Sequence, residues 1–500
     1  MRRSAPLWLL LSSIFALACG GDREASNPPP DPADGGAPTA GATARPPNVV
    51  ILSIDTLRAD RLGAYGYERR TSPRLDRLAR EGVLFERAIS QAPTTAPSHM
   101  SLLTGLAPPV HRVENLGSGA PARLDDAFYT YPETLLAAGY LTAGFHGGGN
   151  VSAALGFDRG FLLYTQDLVS YNWMGVEGPG DLAAVAHWIR TAGARERPFF
   201  LFLHHYVCHA PYLSAPAATR ERFLAGRAAE GLPRGPDDAA RREVLERLDA
   251  AGSGREKHLL VQRLFSGSHR AFWSGIDLAD ARHRRHVEAL YDAGVAYADE
   301  LFGVVRRVLE AQRVYDDTWL VVLSDHGEEF HEHGGREHSQ LFVETLHVPL
   351  IVKPPARARI EPRRVADPVR LMDVFPTLLD LLEIDHPAPT QGRSFAGLLA
   401  GEGRDGAGAI ASFALGAAPR EAAPREARLR VEDTRWAYTD QPAPGGDVWL
   451  FDRRRDPREQ ENLAAEHPGE VERLRALGAE RLRRASALRE RLLGAGRAAA

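Results

Sequence analysis

The chain reads as an α/β protein with a mostly parallel central sheet, helices on both faces, and a smaller C-terminal α+β subdomain. Three observations predict this. Apolar runs such as Asn48–Ile54 (NVVILSI), 198–203 (PFFLFL) and Thr318–Leu323 (TWLVVL) show no polar alternation, the mark of strands covered on both faces. Helical stretches separate these runs, the rhythm of strands joined by crossover helices. The 500 residues are 44% hydrophobic and 25% charged, a soluble globular composition long enough for one large domain or two smaller ones. A formal net charge of −4 gives no case for nucleic-acid binding.

The amino terminus is a targeting segment. Arg2 and Arg3 precede an apolar stretch, 7–17, that is too short to span a bilayer. It ends Ala16-Leu17-Ala18-Cys19, which resembles a bacterial lipobox. The expectation is a lipoprotein signal peptide over 1–18, a lipid on Cys19, and export to the cell envelope with membrane anchoring. Residues 19–47, rich in Pro, Gly, Ala and Ser, read as a tether unable to bury a core. Cys208 is the only other cysteine, so no intrachain disulfide is expected.

A main domain is expected over 48–400. Its first strand ends on Asp55-Thr56, and the carboxyl end of a central strand is where α/β sheets bind ligands. Ser72 and Pro73 open a helix that stops at Gly82, and a strand begins at Val83. The stretch 91–105 (QAPTTAPSHMSLLTG) then sets Thr95, Ser98 and His99 at the start of a short helix. Helix starts attract anions, so this stretch presents a hydroxyl towards a phosphate-like or sulfate-like group.

A helix at 134–138, a strand at 141–145, a helix at 182–192 and the strand at 198–203 follow, leading into 204–212 (HHYVCHAPY). Residues 214–285 break the rhythm and read as a mostly helical insertion. A long helix at 287–312 precedes the strand Thr318–Leu323, which ends in Asp325-His326-Gly327-Glu328-Glu329, with His331, His333 and His338 beyond. A strand at 348–352 and a helix at 371–382 close this part. The C-terminal subdomain, 401–500, should hold strands at 409–414, 428–437 and 448–451, the last an edge strand, and a closing helix at 471–493.

Asp55, Thr95 and Asp325-His326 thus fall at the ends of predicted strands or just before a helix. Two carboxylates and an imidazole suit a divalent cation. With the pieces NVVILSIDTLRADRLGAYGY, TTAPSHMSLLTG, LHHYVCHAPY, LYDAGVAYADELFG, VVLSDHGEEFHEHG, HVPLIV, MDVFPTLLDLL and LFDRRRDPREQENL, the chain resembles the sulfatase family of the alkaline-phosphatase-like superfamily over about 48–463. The resemblance implies a metal-dependent ester hydrolase. Asp55, Asp325 and His326 fall on its metal ligands, and Thr56 where many members have a further polar ligand. Thr95 falls on the nucleophile. His209 and His338 match histidines that contact the oxyanion, the leaving group or a second metal. His111 lies near a position that is His in many relatives.

Two departures bear on the chemistry. Active sulfatases begin the nucleophile motif with Cys or Ser, which is oxidised to formylglycine. Thr95 carries a methyl on its β-carbon and would give a ketone, so no formylglycine is expected. His99 replaces the usual Arg. The family's sulfate-holding lysines are also missing: the two lysines, Lys257 and Lys353, match neither position, and Arg336 is the available substitute. A Thr nucleophile is typical of the superfamily's phosphodiesterases and phosphoglycol or phosphoethanolamine transferases. The expected enzyme therefore attacks phosphate mono- or diesters in preference to sulfate esters, with one divalent cation (Ca, Mn, Mg or Zn). A weaker second site would draw on His205, His209 and His338, with Cys208 as a soft ligand or a buried thiol. A sulfuric-ester hydrolase, a transferase acting on surface glycans or lipids, and an inactive binding lipoprotein are the alternatives.

Overall fold

The computed structural model describes residues 45–500 apart from 117–122, 166–181, 194–196, 237–242, 244–245, 248–249, 251–265, 387–388, 404–407, 415–427, 444–445 and 500. The signal peptide, Cys19 and most of the tether lie outside the described residues, as does much of the 214–285 insertion. Residues 45–500 form one compact unit. Among the described residues, no helix is long and apolar enough to cross a membrane.

The central sheet has nine strands: β1 (Asn48–Ile54), β2 (Val83–Ile89), β3 (Leu141–Phe145), β4 (Leu163–Thr165), β5 (Phe199–His205), β6 (Thr318–Leu323), β7 (His347–Lys353), β8 (Arg363–Val365) and β9 (Val369–Arg370). Their order is β4-β3-β5-β1-β6-β7-β2-β8, with β9 also on β2. β1 is central and pairs in parallel with β5 and β6. Only β7 is reversed, antiparallel to both β6 and β2. Its apolar run gave no clue to direction, because a doubly covered strand has the same composition either way.

Successive β1 side chains enter opposite cores, because a strand alternates its faces. Val50, Leu52 and Ile54 pack with Leu75 and Leu78 of α1 (Pro73–Glu81), Val185 and Ile189 of α3 (Ala183–Gly193), and Leu290 of the long helix α4 (Ala281–Ala311). Val49 and Ile51 pack with Met100 and Leu103 of α2 (Thr95–Thr104) and Phe375 of α5 (Val374–Leu381). The expected mostly parallel sheet, covered on both faces, is what the chain forms. Ser72 precedes α1 but does not cap it. Its Oγ accepts the Gly63 N–H (3.0 Å) and donates to Asp76 (2.9 Å), because the nearby turn offers a donor first.

A second sheet, wholly antiparallel, runs β10 (Ile410–Ala414), β11 (Arg428–Glu432), β12 (Trp436–Ala443), β13 (Gly446–Asp452), and helix α6 (Pro468–Ala499) follows it. The single strand expected at 428–437 is split in two. Asp433 Oδ1 accepts both the Arg435 and Trp436 N–H groups (2.8 Å each), an Asx turn that folds the run into a hairpin.

His333 ties the two sheets together. Its Nδ1 lies 2.6 Å from Glu344 Oε1 and its Nε2 2.7 Å from the Glu459 carbonyl. Both partners are acceptors, so both ring nitrogens carry protons. Burial alone would lower the His333 pKa, but Glu344 outweighs it and the net value rises to about 9. A raised histidine pKa stabilises the fold fully below the unfolded value near 6.5 and is lost as pH climbs through about 9. Comparing wild type with His333→Gln by thermal melts from pH 6 to 10 should show a gap on the order of 3 kcal/mol that closes above pH 9. A gap independent of pH would contradict a charged His333.

Candidate active site

β1, β5 and β6 end side by side, and their last residues run straight into the site. The Asp55 N–H donates to the His205 carbonyl (3.0 Å), extending the sheet bonding by one residue. Thr56 then turns the chain in the left-handed region, at φ 57°, an uncommon conformation for a β-branched residue. Three contacts hold it there. Its N–H donates to Asp325 Oδ1 (3.3 Å), the Tyr291 hydroxyl of α4 donates to its carbonyl (2.6 Å), and the same hydroxyl accepts the Arg58 N–H (2.8 Å). Across the gap, Ser98 Oγ of α2 donates to the Asp325 carbonyl (2.7 Å), pinning α2 to the end of β6.

Thr95 Oγ1 sits at the focus, 3.3 Å from Asp55 Oδ2 and 3.4 Å from His326 Nε2. Ligand atoms of Asp55, Asp325 and His326 all lie within 4.8 Å of one another, and all three residues are buried. The donor set fits a divalent cation. Asp55 Oδ1, Asp325 Oδ2 and Thr56 Oγ1 are buried with no hydrogen-bond partner, so oxygens stand ready for an ion. Burial raises the Asp55 carboxyl to about 7, and burial together with the Asp55 charge raises Asp325 well above the carboxylate range. A bound cation favours both ionised forms. His326 is set as a ligand by its backbone: its Nδ1–H donates to the Gly327 carbonyl (3.0 Å), which leaves the lone pair on Nε2.

The two further histidines lie on the more open side. His338 stacks near His326, ring centroids 4.5 Å apart, and His209 is 5.0 Å from His338. His338 Nδ1 is held by Glu328 Oε1 at 3.1 Å. Burial would lower its pKa, but Glu328 and the other carboxylates more than offset this and raise it to about 9. His209 moves the other way, to about 3, through burial and the charge on His338. Its Nδ1–H donates to the Ala210 carbonyl (2.7 Å), so the neutral ring carries its lone pair on Nε2. One ring is thus poised as a donor and its neighbour as an acceptor.

The remaining expected residues are placed less centrally. His99 is wholly buried under the cluster. Its Nδ1–H serves the Thr95 carbonyl (3.0 Å) with Asp325 Oδ2 close by (3.3 Å), and Ser53 Oγ donates to its Nε2 (2.8 Å). His111 braces the far side of α2 through Ser101 Oγ (3.1 Å) and the Val113 N–H (3.0 Å). Arg336 is exposed and lies over the Trp273 ring at 4.8 Å. Cys208 is buried, and burial holds its thiol well above the usual range.

Two residues outside the expected site set belong to this one. His204 Nε2 lies 3.2 Å from Asp55 Oδ2, beside Thr95. Glu328 orients His338. Position carried a signal for both: His204 stands at the end of a strand adjoining β1, and Glu328 lies two residues after a metal-ligand candidate.

A nine-stranded sheet of this order, with buried carboxylates, an imidazole and a hydroxyl at its carboxyl edge, defines an ester-bond hydrolase of the alkaline-phosphatase-like superfamily. Within it, the chain belongs to the sulfatase family. The family model described as "Sulfatase" matches residues 47–384, and "N-sulphoglucosamine sulphohydrolase, C-terminal" matches 331–485. The chain is 28% identical to the "Multifunctional alkaline phosphatase superfamily protein PehA" of Trinickia caryophylli, over 71% of this chain and 77% of that one. It is 24% identical to an "Ulvan-active sulfatase" of Formosa agariphila, over 83% of this chain and 77% of that one. The solved phosphonate monoester hydrolase of Agrobacterium radiobacter superimposes with a TM-score of 0.62 at 21% identity, covering 89% of this chain and 96% of its own.

Proposed function

We propose that Thr95 is the nucleophile of a metal-dependent hydrolase that acts on phosphate mono- or diesters in preference to sulfate esters. The observation that carries this reading is the hydroxyl itself, with Thr95 Oγ1 between Asp55 Oδ2 and His326 Nε2. When bound by Asp55, Asp325 and His326, with Thr56 Oγ1 near, a divalent cation supplies Lewis-acid stabilisation of negative oxygen. The chain's own groups do the rest. Thr95 Oγ1–H donates towards Asp55 Oδ2, which aims the attacking lone pair and receives the proton as the O–P bond forms. His338, protonated and held by Glu328, donates from Nε2 to the departing oxygen as its bond to phosphorus breaks. His209 Nε2 then takes a proton from water, whose oxygen attacks phosphorus as the bond to Thr95 Oγ1 breaks, and Asp55 returns its proton to Thr95 Oγ1. His204 holds Asp55 in place, and His99 fixes the Thr95 carbonyl.

Preference for phosphate rests on Thr95, on the absence of lysine from the site among the described residues, and on the phosphoryl and phosphonyl chemistry in the names of PehA and the phosphonate monoester hydrolase. Lys353 is at the opposite edge of the sheet, its ammonium donating to the Tyr315 carbonyl (2.6 Å). Sulfate-ester hydrolysis is the second reading, favoured by the sulfatases among the relatives. On the same proposal, the leader directs export and is removed, and a lipid on Cys19 holds the enzyme in the cell envelope.

The metal-loaded protein should be assayed against an aryl phosphodiester, an aryl phosphate, an aryl phosphonate ester and an aryl sulfate. The expected result is a kcat/KM for a phosphate ester at least tenfold above that for the sulfate. The opposite order would establish a sulfatase, and product appearing on an added alcohol instead of in water would establish a transferase.

A further inference from the structure

Beyond the C-terminal end of α2, a cavity of about 280 Å³ opens between β10, the 390–393 turn and α6. Four guanidinium groups line it, from Arg370, Arg393, Arg481 and Arg484, against one carboxylate, Asp373. That carboxylate is fully engaged. Its Oδ1 accepts from Arg370 Nη2 (2.6 Å) and the Arg393 N–H (2.7 Å), and its Oδ2 from the Arg370 N–H (3.1 Å) and Nε (3.2 Å). Arg484 is paired along its own helix with Glu480 (2.6 Å).

Two cations remain uncompensated. Arg481, partly buried, donates among the described residues only to a neutral acceptor, the Ala409 carbonyl (3.1 Å). The Arg393 side chain has no hydrogen-bond or ion-pair partner among the described residues. Burial, and after it the like charges of Arg370, Arg393 and Arg484, lower the Arg481 pKa from its ordinary value. Gathering like charges round a partly enclosed space costs free energy that only an opposite charge recovers.

The cavity is separate from the cation cluster. The Gln391 and Gly392 N–H groups donate to the carbonyl of Gly105, the residue that ends α2. Thr95 is at the other end of that helix, about 15 Å away at 1.5 Å per residue.

We propose that this cavity is an anion site for one dianionic tetrahedral group, a phosphate monoester or free phosphate, held between Arg393 and Arg481. Planar guanidinium forks match such oxygens two at a time, and two uncompensated positive charges match the two negative charges of the group.

Equilibrium dialysis with radiolabelled inorganic phosphate tests this, using the chain with Asp325→Ala so that the cation cluster does not contribute. One phosphate per chain is expected, with the apparent Kd raised at least tenfold in Arg393→Ala/Arg481→Ala. Arg393→Ala alone, at an exposed position, should weaken binding severalfold without affecting folding. Because like charges are removed, the double variant should melt no lower than its parent in phosphate-free buffer and should lose the rise in Tm that phosphate gives the parent. Competition by glucose 6-phosphate at comparable concentrations identifies an ester group as ligand, and its failure to compete identifies the free ion. Phosphate binding of equal strength in parent and double variant, or no binding by the parent, overturns the site.

Discussion

Thr95→Ala is expected to lower turnover of an aryl phosphate ester by on the order of 10⁴-fold or more while leaving cation binding intact. Loss of a nucleophile leaves only what binding and charge stabilisation give. The candidate cation ligands are carboxylates and an imidazole from other elements, and Thr95 Oγ1 is 3.3 Å from Asp55 Oδ2 and 3.4 Å from His326 Nε2, so removing the hydroxyl leaves the cluster standing. Thr95→Ser is the informative partner, because it retains the oxygen and should retain measurable turnover. Mass spectrometry of rapidly quenched wild type should detect a phosphate adduct on Thr95 that is absent from the alanine variant. Unchanged turnover in Thr95→Ala would remove Thr95 from the mechanism.

Asp325→Ala should be nearly as damaging for a different reason, and its signature is the loss of the response to chelator. In wild type, a cation present at about 100 times its Kd contributes about 2.7 kcal/mol, so chelation should lower Tm by roughly 3 °C. In Asp325→Ala the chelator should move Tm by less than about 1 °C, and activity should be lost with or without added metal. The chelated proteins should rank the other way. Burial raises both carboxyls, and the Asp55 charge raises Asp325 further, so deleting Asp325 removes the group that burial and a like charge disfavour together. The metal-free variant is therefore expected to be the more stable of the two. A chelator effect of equal size in both proteins would exclude Asp325 as a ligand.

Much of this architecture was legible because buried strands that end in polar residues are conspicuous. β1 and β6 stand out as apolar runs, and Asp55 and Asp325-His326 break them abruptly. Thr95 could be singled out because a Pro-bearing helix start follows it. Pairings between distant segments were not legible. Nothing local to Glu328 says that it reaches His338 ten residues on, and His204 reads like any strand-end histidine until β5 is seen to lie beside β1. The split of 428–437 escaped for a related reason: an Asp in a mixed polar run signals a turn only when its side chain bonds the N–H groups two and three residues ahead. His99 drew attention as the residue standing where the family has Arg, and His111 as lying near a position that is His in many relatives, whereas the structure uses their rings to fix α2.

The central place of β1 also bears on how the enzyme matures. Thr56 and Asp325 are 269 residues apart in the chain yet share a hydrogen bond. The amino-terminal half alone carries Asp55 and Thr95 but neither Asp325 nor His326. A chain still emerging from a ribosome or a translocation pore therefore holds only a fragment of its cation cage until β6 has docked against β1. Cation capture is a late event in such a sequence, and it stabilises selectively those molecules whose central sheet is complete.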